Sequence, residues 1–136
     1  SHLDAVLVLE EIAKISIGVA FPIFESCFGP CLAIAHFGND HLKNWLLPAI
    51  CSGEMVLAVS MSEPGAGSAL TDLTTKASVN GDKVVINGTK RWCSGAGHSE
   101  AYVVYCRMSD DRGALSSKIL LIPNLNLVCF EFLLIV

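Results

Sequence analysis

The stretch Val59-Ser60-Met61-Ser62-Glu63-Pro64-Gly65-Ala66-Gly67-Ser68 sets hydroxyls, a carboxylate and two glycines directly behind a mostly apolar run, residues 53–59. Glycines let a ligand approach the main chain. Their N–H groups, with the hydroxyls of Ser60, Ser62 and Ser68, place several donors in a short space. Such a lining suits a flat, acceptor-rich cofactor, and it equally suits a plain turn between two elements. The familiar phosphate cradles do not fit. No Gly-x-x-x-x-Gly-Lys-Ser/Thr string occurs. Gly65-Ala66-Gly67-Ser68-Ala69-Leu70 and Gly95-Ala96-Gly97-His98-Ser99-Glu100 both lack the last glycine of a dinucleotide fingerprint, and neither leads into a crossover helix. His36, His41 and His98 have no partners in a metal or nucleophile pattern and read as surface or capping residues. The cysteines at 27, 31, 51, 93, 106 and 129 form no Cys-x-x-Cys pair and read as reduced, buried thiols of an intracellular compartment. Trp92, taken alone, reads as packing in a sheet core.

The elements that position these residues change character near residues 52–53. Residues 5–17 carry Val6, Leu9, Ile12, Ala13 and Ile15 at helical spacing with Glu10, Glu11 and Lys14 opposite, and Asp4 stands as a cap. Residues 26–36 read as a second helix, apolar nearly all round and so buried on most sides, ended by Gly38. Asn39 or Asp40 caps a third helix over 41–49, with Leu42, Trp45 and Leu46 on one face. The second half alternates instead. Residues 74–79 and 83–86 read as strands joined by Asn80-Gly81, and a second Asn-Gly turn is expected at 87–88. Residues 101–106 and 118–122 are two more strands, the latter closed by Pro123. Consecutive strands on tight turns predict an antiparallel meander closing into a barrel or sandwich.

Lys and Arg number 9 against 13 Asp and Glu, a net charge of -4, so the electrostatic footprint of a nucleic-acid binder is missing. Apolar residues are 52% and charged residues 16% of the chain, with mean hydropathy +0.55. A short chain should be more polar than that. Either it meets a membrane or its apolar faces are covered by a larger body. The membrane reading fails on length: residues 15–24 are interrupted by Gly18 and Pro22, residues 125–136 are too few, and Ser1-His2-Leu3-Asp4 is no signal-peptide start.

The order of the pieces adds what their physics leaves open. Ser62-Glu63-Pro64-Gly65-Ala66-Gly67-Ser68 is followed by Thr75-Lys76-Ala77, Gly81-Asp82 and Ile86-Asn87-Gly88-x-Lys90-x-Trp92. This series resembles the central signature of the acyl-CoA dehydrogenases, FAD enzymes that oxidise acyl-CoA thioesters to 2,3-enoyl-CoA. Gly38-Asn39-Asp40, Trp45-Leu46-Leu47-Pro48 and Gly53-Glu54 look like the helical approach to it. The resemblance covers roughly residues 5–122. It implies an α+β fold: a partial N-terminal helical domain over 1–54 and an incomplete middle β-barrel domain over 55–136, without the C-terminal helical bundle. It implies FAD lined by Val59, Ser60, Met61, Ser62, Gly67 and Ser68, with Trp92, Cys93 and Ser94 against the flavin ring and Ser68 also touching the acyl-CoA.

Two residues depart from the family pattern. Ala69 stands where Asp is common, which removes a cap or hydrogen bond. Cys93 replaces a bulkier aliphatic residue. Glu63 does not stand at the base position and is expected to hold the loop. The family's base is a glutamate of the C-terminal helical domain, so residues 1–136 are expected to supply no catalytic residue, Glu131 included. The chain thus reads as part of, or a truncated form of, an acyl-CoA dehydrogenase; the alternative is a non-catalytic acyl-CoA-, flavin- or partner-binding module. The resemblance also implies an electron-transfer acceptor as partner, a homo-oligomer when full-length, and a soluble intracellular setting, cytoplasm or mitochondrial matrix.

Overall fold

The computed structural model describes residues 2–81, 83–108, 117–123 and 131–135, the last two stretches as backbone. It divides into two compact units, one through Leu57 and one from Ala58 onward. The expected features after Pro123, Cys129 among them, lie largely outside the described residues, apart from one short strand.

The first unit is helical. Helix α1 spans His2–Ile15. It begins before Asp4, which therefore stands in the first turn rather than at the cap, with Lys14 in the last turn; both charges suit the helix dipole. Lys14 reaches Glu11 at 2.6 Å and Glu10 at 3.6 Å on the solvent side. After Ser16 the chain enters α2 (Ile17–Ile23), a π-helical turn (Phe24–Phe28) and α3 (Pro30–Phe37). Pro22 does not stop the run. Proline removes one donor and crowds the preceding turn, and here the helix widens into the π turn that follows and continues. The result corrects two sequence expectations. Ile17–Phe37 is one helical run of 21 residues, long and apolar enough by length and composition to cross a membrane. It is also largely exposed: Phe21 and Phe24 are half exposed and Phe37 is 82% exposed, while only Ala20, Ser26, Pro30 and Ile34 are buried.

Helix α4 spans Asp40–Ser52. The Asn39 side chain accepts from the Leu42 N–H at 2.9 Å, and Gly53 ends the helix in the left-handed conformation, φ 81°. Of the expected apolar face, Leu46 is fully buried, joined by Ile50, while Trp45 stays 41% exposed. Ser26 Oγ accepts from the Leu57 N–H at 3.0 Å and ties the π turn to the end of this unit.

The second unit is a sheet. Its strands are β1 (Leu57–Ser60), β2 (Lys76–Asn80), β3 (Lys83–Thr89), β4 (Ala101–Arg107), β5 (Ser117–Pro123) and β6 (Glu131–Ile135). The β2–β3 hairpin closes between Asn80 and Lys83, with Gly81 at φ 66°. The strand order is β1-β4-β2-β3-β6, with β5 antiparallel to β4. The sheet is mixed rather than a meander: β4 lies parallel to β2 at Lys76–Arg107. Tight turns join only antiparallel neighbours, and the long stretch 90–100 instead carries the chain back past β3 to the side of β2. The second Asn-Gly is likewise no turn. Asn87 and Gly88 continue β3, where they pair with Leu133 and Phe132. Glycine is needed there because a Cβ would lie 2.5 Å from the Thr75 Cα. The core comprises Ala58, Ala77, Ile86, Tyr102, Val104 and Cys106.

Candidate functional site

The glycine loop is built on a buried ion pair. Glu63 and Ala66 exchange main-chain hydrogen bonds at 2.8 and 3.1 Å, which closes a tight turn through Pro64 and Gly65. The Glu63 carboxylate points inward, 1% exposed. It accepts from the Thr74 N–H and hydroxyl, both at 2.6 Å, from the Thr75 N–H at 2.9 Å and from Lys90 Nζ at 2.8 Å. Lys90, equally buried, also donates to the Met61 carbonyl at 2.9 Å. One carboxylate thus joins the loop, the entry to β2 and the exit of β3. Burial pushes the Glu63 carboxyl up, but the bonds from Lys90, Thr74 and Thr75 outweigh it and hold its pKa at about 2. Burial also presses the Lys90 ammonium down, against the pull of Glu63. A carboxylate so enclosed has no free lone pair for a substrate proton. Its expected structural role is what the geometry shows.

Outside this anchor lies an open rim. The Arg91 N–H donates to the Ser62 carbonyl at 2.9 Å, which sets the second signature segment beside the first. Trp92 follows at φ 59°, a left-handed conformation that bulky residues rarely adopt. Its ring is 74% exposed, with the Arg91 guanidinium stacked 3.8 Å from the ring centre. Gly67, Ser68 and Ser94 are exposed, and Val59, Met61 and Ser62 are half-buried. A Cβ on Gly65 or Gly67 would meet nothing within 4 Å, so the loop faces open space. Two expected residues point elsewhere. Ser60 is fully buried and its hydroxyl finds no partner; Cys93 packs on the sheet core.

The second glycine loop has a different organiser. The Tyr102 hydroxyl, on a fully buried ring, donates to the Gly95 carbonyl at 3.1 Å and accepts from the Gly97 N–H at 2.9 Å. Sequence reasoning passed over Tyr102, Arg91 and Thr74, and it quoted Lys90 in the signature without a role. The signal for Lys90 was its place in the motif series after Asn87-Gly88; a lysine that folds inward there needs a carboxylate partner. His36, His41 and His98 are all exposed, as expected. Of the cysteines, Cys106 is buried, Cys27, Cys31 and Cys93 are partly so, and Cys51 is exposed, against the expectation of buried thiols. Among the described residues no cluster of three or more His, Cys, Asp or Glu side chains could hold a metal.

The residues of the rim fit a flat ligand that takes main-chain and hydroxyl bonds and stacks on an aromatic ring. Comparison with known proteins gives the family. Residues 1–54 match the acyl-CoA dehydrogenase N-terminal domain, and residues 58–128 match the acyl-CoA dehydrogenase middle domain. The 3-sulfinopropanoyl-CoA desulfinase of Cupriavidus necator is 36% identical over 111 residues, covering 82% of this chain and 28% of that protein. The mitochondrial isobutyryl-CoA dehydrogenase of Dictyostelium discoideum is 33% identical over 125 residues, covering 91% of this chain and 30% of its own length. Among solved structures, the butyryl-CoA dehydrogenase of Megasphaera elsdenii superposes with a TM-score of 0.82 at 25% identity, over 87% of this chain and 31% of that one. An FAD complex of PigA gives 0.85 at 26% identity, over 90% and 32%. The chain therefore spans less than a third of the length of these relatives.

Proposed function

The chain belongs to the acyl-CoA dehydrogenase family, and from that premise we propose that it forms the flavin-lining part of an FAD-dependent enzyme that dehydrogenates acyl-CoA thioesters at the 2,3 position. The supporting observation is the Arg91–Ser62 hydrogen bond with the Glu63–Lys90 pair behind it. Together they hold Ser62 against Arg91, the residue before Trp92, and fix the start of the glycine loop there. Main-chain groups of Val59 to Ser62 and of Gly67, with the hydroxyls of Ser62, Ser68 and Ser94, would hold the flavin, and the Trp92 ring would stack on it. Ser60 would join this set through its main chain, and Cys93, packed on the sheet core, would join it next to Trp92. Bound there, FAD would supply the two-electron acceptor for the hydride leaving the thioester's β-carbon.

In this reading the described rim residues would bind and orient the flavin and exclude water from it. Glu63 is committed to Lys90 and the threonines, so it is not free to remove the α-proton. Ser68, exposed on the loop, would meet the acyl-CoA. The apolar run Ile17–Phe37 we read as a domain-packing surface, since the same residues match the family's helical N-terminal domain. An electron-transfer acceptor, a homo-oligomeric assembly and an intracellular, soluble setting belong to the same proposal.

Titrating the full chain with FAD tests it. Binding should red-shift and sharpen the flavin's visible bands, and Trp92→Ala should weaken it about tenfold, the worth of one stacked aromatic contact. An unchanged flavin spectrum at saturating FAD would sink the proposal.

A further inference from the structure

Residues 90–92 read Lys-Arg-Trp, two cations ahead of an indole, and the fold uses the two cations in opposite ways. Lys90 is buried and paired with Glu63. Arg91 stays at the rim, half-buried, and among the described residues no carboxylate is paired with it. Its hydrogen bond to Ser62 is made by the main-chain N–H, not by the side chain. Nε of the guanidinium is buried without a hydrogen-bond partner. What holds the group is the Trp92 ring, whose centre lies 3.8 Å from the guanidinium carbon.

Neighbouring side chains on extended backbone point to opposite faces. Arg91 and Trp92 stack because the left-handed conformation of Trp92, φ 59°, breaks that alternation. A bulky residue stays in such a conformation only where its surroundings fix it, and outliers of this kind gather at ligand sites. The guanidinium covers one face of the ring. Trp92 is nevertheless 74% exposed, so the opposite face is open. A flat ligand that stacks on Trp92 therefore meets the open face, with an uncompensated positive charge behind the ring.

We propose that Arg91 is a positioning residue for the flavin and that its charge tunes the flavin's potential; this rests on the reading above that the rim binds FAD. The guanidinium fixes the ring for stacking, and its charge favours the reduced flavin. A hydride carries two electrons and one proton, so a flavin that accepts it gains one negative charge. A nearby cation stabilises that state more than the oxidised one. Lys carries the same charge without the planar stack, and Gln a planar amide without the charge. Two substitutions thus separate the two effects.

The test measures FAD affinity and the midpoint potential of the bound flavin in the full chain. Every variant keeps the main-chain bond to Ser62. Arg91→Ala should weaken FAD binding about two- to fivefold, the worth of one exposed cation–π contact. Arg91→Gln should lower the potential by about 30 mV, a tenfold shift for a two-electron couple, with a smaller loss of affinity. Arg91→Lys should restore the potential but not the full affinity. An affinity unchanged in Arg91→Ala overturns the positioning, and a potential unchanged in Arg91→Gln overturns the tuning; in either case a parent chain that binds FAD leaves the rim reading standing. A parent chain that binds no FAD sinks the rim reading itself, and the role of Arg91 with it.

Discussion

The two units place their side chains in opposite ways. Helix α1 buries none of its residues, and Leu3, Val6, Leu7, Val8 and Ile15 all face outward, Ile15 at 90%. Strand β4, half as long, buries Ala101 to Val104, Cys106 and even Arg107. The sheet unit is closed around its own core and takes an ion pair inside it; the helical unit leaves apolar surface uncovered within the chain. The energetics differ accordingly. Stability in the sheet unit depends on a few buried, fully hydrogen-bonded groups. In the helical unit it depends on the small set Leu46, Ile50, Ile34 and Ala20, and most apolar positions contribute little.

The largest effect expected is at the sheet's anchor. Glu63→Ala leaves the Lys90 ammonium buried and unpaired, with Thr74 and Thr75 unsatisfied, and should destabilise the sheet unit by about 3–5 kcal/mol. The two tryptophans, Trp45 and Trp92, lie one in each unit, so denaturant unfolding in a Trp45→Phe background reports the sheet through Trp92. A loss under about 1 kcal/mol would show that the anchor is not what holds the loop, and the contrast between units would fall.

Next comes the helical unit itself. Leu46→Ala removes a fully buried side chain and should cost about 2–4 kcal/mol. Ile15→Ala, equal in kind but 90% exposed, should stay within about 0.5 kcal/mol. Equal losses at the two positions would mean that α1 is covered after all.

Acid should act on the sheet unit selectively. The Glu63 carboxyl has its folded pKa, about 2, below the unfolded value of 4.5. Its contribution is therefore complete above the unfolded value and is lost as pH falls through that window toward the folded one. Lys90 stays protonated throughout this window, so the carboxylate sets the slope. The loss should reach on the order of 3 kcal/mol, seen as a falling denaturant midpoint that Glu63→Gln no longer shows.

Much of this contrast was legible in the chain. A cap at Asn39 or Asp40 and the Asn80-Gly81 hairpin follow from local chemistry, and the loop-holding role of Glu63 follows from its place in the motif; the structure has Asn39 at the cap, the hairpin and the Glu63 anchor. Non-local geometry was not legible. Asn87-Gly88 has the composition of a turn, but its glycine is there because Thr75 crosses close by. Pro22 looks like a stop, yet a π turn absorbs it. The parallel contact of β2 with β4 depends on the path of residues 90–100, which carries no period. Ser60 was expected at the rim as a hydroxyl donor, but strand alternation turns its side chain inward, and periodicity in a four-residue strand is too short to read. At the candidate site the rim residues were proposed from motif order, and the motif includes Lys90, but that Lys90 and Thr74 hold the loop shows only once the carboxylate's partners are seen.

A smaller effect separates function from stability within the sheet unit. Trp92 holds a left-handed backbone that a side chain makes unfavourable by about 1 kcal/mol. Trp92→Gly should therefore leave stability level or raise it slightly, since the lost Arg91 stacking offsets part of the relief, while flavin binding falls. A variant that loses stability by 2 kcal/mol or more would make Trp92 a core residue rather than a rim residue.

The smallest effect expected is a gain. Ala69 sits at the N-cap of the 3₁₀ turn Leu70–Asp72, with no side-chain bond to it; only the Asp72 N–H is satisfied, by the Ala69 carbonyl at 3.0 Å. A cap residue works by offering a side-chain oxygen to the free N–H groups of the first turn, and Asp is among the best. This turn also carries the Thr71 carbonyl that accepts from Arg107, so firming it firms one wall of the sheet. Ala69→Asp should raise the sheet unit's stability by about 0.5–1 kcal/mol, read from the same Trp92 transition, and leave the Leu46-dependent part unchanged. The gain should fade below the pH at which the new carboxylate protonates. A destabilised variant would mean that the turn's N–H groups are already satisfied and that a cap at this position has nothing to bond.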